Sequence, residues 1–264
     1  MIRLRALLAK ELLDVSRNRA VLLPVVIAAI VFLVLPLVIA VIIPSATGDD
    51  LGNDDELARL SLMLDPLEQL STNGRVQLFI FQQFLIVFLL MPVTGAMALA
   101  AHAIVGEKLA RTLEPLLATP LTTLELLMAK VLGALIPTMA VSMVGLALYG
   151  VLIVTTAEPG VLRAMLSART LILIVVVGPM CALVSLQLAI VVSSRVNDAR
   201  TAQQFGVLIV LPVTALVVGQ VSGLMWLSAT ALGLVGIGLL VVWIGLTFLS
   251  VALFEREAIL TKWR

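Results

Sequence analysis

Cysteine and histidine are nearly missing from this chain: 264 residues hold one of each. Cys181 lies inside an apolar run, so a disulfide within the chain is excluded and a His/Cys metal site lacks a ligand set. Charge is scarce too. Asp, Glu, Lys and Arg make up 12% of the residues, about half the share usual in soluble domains. A net charge of +1, with no basic block or basic-aromatic stripe, leaves no footprint for nucleic acid. No Gly-x-x-x-x-Gly-Lys-Ser/Thr run occurs, so the chain is not its own P-loop ATPase. A catalytic constellation, which an intramembrane enzyme needs, is not visible.

What is present is hydrocarbon. Hydrophobic residues reach 61% and the mean hydropathy is +1.18, which marks an all-α polytopic membrane protein. Six spans follow from the apolar runs, at residues 20–43, 78–104, 127–154, 170–193, 203–220 and 228–253. The fifth is short, and with the Gly219–Trp226 stretch after it also fits a broken or re-entrant segment. The first run follows basic residues but is longer than a signal-peptide core, so it reads as a retained span. Thirteen Lys and Arg residues fall on the side of the N-terminus and four on the other. That asymmetry puts both termini in the cytoplasm of a cell (inner, cytoplasmic) membrane. Residues 1–264 read as a single transmembrane domain.

No Asp, Glu, Lys or Arg lies deep inside a span, whereas ion- and proton-coupled carriers normally keep such groups there. The polar inventory is instead Gln82, Gln83, Thr94, Ser142, Ser185 and Gln187. Five of the six spans carry proline (Pro24 and Pro36, Pro92, Pro137, Pro179, Pro212), which predicts kinks or local unwinding. Outside the membrane, residues 44–77 form an acidic loop. Its Asp49, Asp50, Asp54 and Asp55 resemble half of a paired-carboxylate magnesium site, against the simpler reading of a solvated loop. Leu57, Leu60, Leu64 and Leu67 predict a short amphipathic helix over the outer mouth. Tyr149 and Trp226 read as interfacial anchors. Residues 1–19 are moderately amphipathic, with Leu4, Leu8, Leu12 and Val15 opposite Arg3, Lys10, Asp14 and Arg17. They suit an interfacial helix in contact with membrane lipid.

The run GEKLARTLEPLLATPLTTLELLMAK, Gly106–Lys130, is the least apolar long stretch between two spans. At about 100° per residue, Glu107, Lys108, Arg111 and Glu114 gather on one face and Leu109, Leu113, Leu116 and Leu117 on the other. Glu107 and Arg111 form an i, i+4 pair in the favourable order. Pro120 disfavours helix at Thr119, and Thr122 with Glu125 makes a capping box for the next span. The pattern predicts a helix over 107–118, a sharp break, then a second helix, with a charged face left for water or a protein.

That run resembles the signature E-K-E-x-G-T-L-E-x-L-L-x-T-P-x-x-x-x-E-L-x-x-x-K of permease subunits of ABC exporters of the ABC-2 type. Glu107, Lys108, Thr112, Leu113, Glu114, Leu116, Leu117, Thr119, Pro120, Glu125 and Lys130 match it; Arg111 stands where Gly is common and Leu109 where an acid is. Ser193–Gln204 (SSRVNDARTAQQ) is similar to the corresponding segment of the sodium-exporter-like branch. The resemblance implies a type V ABC exporter-like fold, with a cytoplasmic coupling helix between spans 2 and 3 within residues 106–125. It implies that Glu107, Lys108, Arg111, Thr112, Glu114, Thr119 and Pro120 meet a separate ABC ATPase subunit, present in two copies. It implies pairing with a second copy of this permease or a paralogue, and ATP and Mg held by the ATPase with no cofactor in this chain. The activity implied is substrate export. A non-transporting subunit that only transmits ATPase motion is the alternative, and an ion-coupled carrier a more distant one.

Overall fold

In hydrocarbon a backbone satisfies its own N–H and C=O groups only as helix or closed barrel. The computed structural model describes residues 19–48, 50–62, 70–109, 123–195, 204, 207–222 and 227–253, and every regular element among them is helical. The first apolar run forms α1 (Arg19–Leu37), a π turn at Val38–Ile42 just after Pro36, and α2 (Ile43–Thr47). Gly48 closes α2 in the left-handed region, φ 75°, where a side chain would be strained. Residues 1–18, the expected interfacial helix, lie outside the described residues.

In the acidic loop, Asp50 accepts from the Gly52 N–H to cap a 3-10 turn at Leu51–Asn53. Asp54 accepts from the N–H groups of Glu56 and Leu57, at 3.0 and 3.1 Å, to cap α3 (Asp55–Ser61). Two of the four clustered acids thus have ordinary capping roles. Leu57 and Leu60 pack onto the core as their spacing predicts; Leu64 and Leu67 lie outside the described residues.

The second span is two helices end to end, α4 (Thr72–Phe88) and α5 (Leu90–Leu109). Ser71 caps α4 by accepting from the Gly74 N–H at 2.8 Å, which is why the helix begins well before its apolar part. The interruption at Leu89 falls just before Pro92, which has no N–H to give the Phe88 carbonyl. Then come α6 (Thr123–Thr156), 34 residues long and continuous through Pro137, and α7 (Val161–Met165). The fourth span comprises α8 (Ala168–Ile172), a π turn at Leu173–Val177 and α9 (Gly178–Arg195). Pro179 sits at the start of α9 and cannot donate to Val175, so the wider turn takes up a bond that an α-helix would lose. The last two are α10 (Val207–Val221), with 15 residues, and α11 (Ala229–Leu253), with 25.

Five helical stretches among the described residues are long and apolar enough to cross a membrane. The described part of the fifth run, α10, extends only about 22 Å, short of a ~30 Å core. The helices alternate in direction, so the α5–α6 connection lies at one end, here termed proximal, and the 48–72 and 157–167 connections at the other, distal end. α9 packs chiefly against α5 and α11, and α5 also packs on α6. Phe81, Leu78, Met91, Leu186 and Ile190 are fully buried at the centre, whereas α1 and α11 expose most of their apolar surface. α11 approaches the fourth span closely at Gly236. A Cβ there would stand 2.7 Å from Val176 Cγ1.

Candidate coupling site and the polar groups inside the bundle

The structure brings the two ends of the 106–125 segment to the proximal face of adjacent helices. Glu107 and Lys108 belong to the last turn of α5, with side chains outside the described residues. Arg111, Thr112, Glu114, Thr119 and Pro120 lie outside the described residues, as does Thr122 of the capping box. α6 resumes at Thr123 with Glu125 exposed in its first turn. Lys130, in the following turns, is only 3% exposed. A cation drawn that far into the packing is held by protein rather than water.

Along the bundle, most of the polar residues of the spans are tied locally or to a neighbouring helix. Thr94 donates to the Leu90 carbonyl at 2.8 Å, and Ser185 donates to the Cys181 carbonyl. Gln187 Nε2 on α9 donates to Ser250 Oγ on α11 at 2.8 Å, and that Oγ donates to the Leu246 carbonyl. Interhelical bonds of this kind contribute on average about 0.6 kcal/mol in membrane proteins, and about 1.7 at most. Gln83 and Ser142 are buried, and their polar side-chain atoms have no hydrogen-bond partner.

A charge at a span edge also enters the bundle, that of Arg169. Its helix, α8, begins with Ala168, and the half-buried guanidinium turns into the bundle. Nη1 donates to Gln82 Oε1 on α4 at 2.6 Å, and Nη2 donates to Gln220 Oε1 on α10 at 3.2 Å. One forked cation therefore joins α4, α8 and α10. The available signal was the pair of glutamines inside apolar runs with an arginine at a span edge. Sequence distance (87 and 51 residues) hid their meeting.

Tyr149 also departs from expectation. It is buried, not an interfacial anchor. Its hydroxyl donates to the Phe81 carbonyl at 3.0 Å, and its ring meets Phe81 edge-on with centroids 6.0 Å apart. Trp226 lies outside the described residues.

A second knot closes the distal end. Just beyond α6, Glu158 accepts from Ser71 Oγ and from Asn73 Nδ2, the latter at 2.7 Å. The Glu158 N–H donates to Gln77 Oε1 at 2.9 Å. Gln77 Nε2 in turn reaches the Ala40 carbonyl at 3.4 Å, so the first three spans are joined at that end. Gly160, with φ 98°, supplies the left-handed turn from this knot into α7.

The family model described as "ABC-2 family transporter protein" matches residues 5–244. No curated protein matches the sequence.

Proposed function

As a member of the ABC-2 family of transporter proteins, the chain is a multi-pass membrane permease of an ABC transporter, and we propose that residues 106–120 are where its ATPase docks. The observation that carries this is the two-faced pattern between α5 and α6. Glu107, Lys108, Arg111 and Glu114 share one face, opposite a leucine face. Apolar side chains settle on lipid or neighbouring helices, and the charged face is left for a soluble protein. Thr112, Thr119 and Pro120 shape the same segment, with Pro120 setting where it turns back toward α6.

In this reading two ATPase subunits serve two permease chains, either two copies or this chain with a paralogue. ATP and Mg bind in the ATPase. Both permease termini lie in the cytoplasm of the inner membrane, and residues 1–19 rest on its lipid headgroups. The direction is outward, and the Ser193–Gln204 run favours the sodium-exporter-like branch. The substrate is amphipathic or lipid-like, since the polar groups inside the described spans are chiefly amides and hydroxyls and no Asp or Glu lies deep within one to hold an ion.

The test is charge reversal, Glu107→Lys, Arg111→Glu and Glu114→Lys singly, in the complex reconstituted in lipid discs. Each is expected to lower ATPase co-purification, or stimulation of its hydrolysis, at least fivefold. Wild-type recovery and stimulation in all three would remove the docking assignment. Substrate-stimulated hydrolysis in the same discs, with substrate appearing across the bilayer in vesicles, separates transport from mere transmission of motion.

A further inference from the structure

Two proline faults face each other inside the bundle. The α4–α5 interruption at Leu89, set by Pro92, lies opposite the π turn at Leu173–Val177, set by Pro179. Between them and the middle of α6 is a cleft of about 250 Å³, lined by Leu89, Pro92, Ser142, Leu146, Leu173 and Pro179 among others. Its walls are apolar but for one side chain. Ser142 is 7% exposed and its Oγ has no hydrogen-bond partner. Many described serines and threonines in these helices donate to a carbonyl of the preceding turn, as Thr138 does to Ala134 at 2.7 Å. Two further lining residues, Met143 and Val175, are 69% and 66% exposed, so the cleft opens sideways at the perimeter of the bundle, where the bilayer lies.

We propose that this cleft binds a bilayer-dissolved hydrocarbon bearing one hydrogen-bond acceptor, which receives the Ser142 hydroxyl while its chain fills the apolar space. Size sets the scale: a dry cavity of about 150 Å³ takes benzene, so this one takes about ten non-hydrogen atoms. Depth sets the chemistry. Ser142 lies about 21 Å along α6 from Thr156 and about 28 Å from Thr123, well inside the apolar run. The ester groups of bulk lipid stay at the edges of the hydrocarbon core, so an acyl tail entering here brings no acceptor. It leaves the hydroxyl unsatisfied, at a cost that an oxygen-bearing chain avoids. A χ1 rotation turns the hydroxyl either to the Thr138 carbonyl of its own helix or to the occupant, and the competition below distinguishes the two. The cleft is separate from residues 106–120, and its occupation needs no ATPase, so it stands or falls apart from the docking assignment.

The experiment uses the full chain in lipid discs and a photoactivatable decan-2-one carrying a diazirine in its chain, with labelled residues mapped by mass spectrometry. Labelling is expected at Met143, Leu146 and Leu173–Val175. Excess decan-2-one should reduce it at least fivefold, and excess decane less than twofold. Ser142→Ala folds, because it removes only an unpaired hydroxyl, and is expected to erase the difference between the two competitors. Ser142→Thr keeps a hydroxyl and should retain it. Labelling spread equally over outward residues such as Leu234 and Phe248, equal competition by ketone and alkane, or an unchanged preference in Ser142→Ala would each overturn the proposal.

Discussion

Arg169 shows how one side chain changes the chemistry of a membrane bundle. A carboxamide oxygen in hydrocarbon needs a donor, and Gln82 and Gln220 receive theirs from the two arms of one guanidinium. Arg169→Ala leaves both oxygens without that donor, and it should destabilise the protein by about 1–3 kcal/mol in detergent unfolding. Arg169→Lys should recover only part of this, because an ammonium cannot reproduce the planar fork. Full recovery by lysine, or no loss in alanine, would mean that the fork does not matter. The sequence alone identified Gln82 as a buried polar group, but neither Gln220 nor the shared donor. Tyr149 failed to read for the same reason: nothing near it in sequence points to the Phe81 carbonyl, 68 residues away. Polar pairing between spans is a tertiary property, whereas hydropathy and periodicity report on one helix at a time.

At the scale of elements, hydropathy was a good guide to where helices run and a poorer one to where they end. α4 begins at Thr72 because Ser71 caps it, and capping extends a helix beyond its greasy part. Proline was informative about faults. Pro36, Pro92 and Pro179 adjoin a π turn, a helix interruption and a second π turn, yet Pro137 and Pro212 lie within continuous helix. Within the expected 107–118 helix, Pro115 cannot donate to the Arg111 carbonyl, and residues 110–118 lie outside the described residues. Small residues proved unequal. Gly233 and Gly245 have open space around them, while Gly236 faces Val176. Gly236→Ala should therefore cost about 1–3 kcal/mol by overpacking, and adding Val176→Ala should restore most of it. If the two losses simply add in a double-mutant cycle, the close approach is not what the glycine serves.

For the molecule as a whole, the strongest sequence signal was the uneven placement of Lys and Arg, thirteen against four. It leads to a direct expectation in whole cells. With Cys181→Ala as background, a cysteine at Arg163 should react with an impermeant maleimide from outside, and one at Glu125 only after permeabilisation. The reverse pattern would invert the topology. The charged pattern between α5 and α6 is read from local spacing alone, whereas the cleft beside Ser142 could not be read from sequence, since three separate helices build it. One dimension of the fold bears on how force enters the membrane. α6 is about 51 Å long, some 20 Å more than the hydrocarbon core needs, and it begins directly after the segment proposed to dock the ATPase. Tyr149 fixes it to Phe81 near the far end, and Glu158 fastens the chain just beyond. Such a rod is a lever with its fulcrum off-centre. Glu125 stands about 36 Å from Tyr149 along the helix, so a tilt of ~10° about that point sweeps the coupling end through ~6 Å. If the ATPase docks on residues 106–120 as proposed, the gearing runs downward: a stroke of ~6 Å at Glu125 becomes one of ~2 Å at Thr156, beyond the fulcrum.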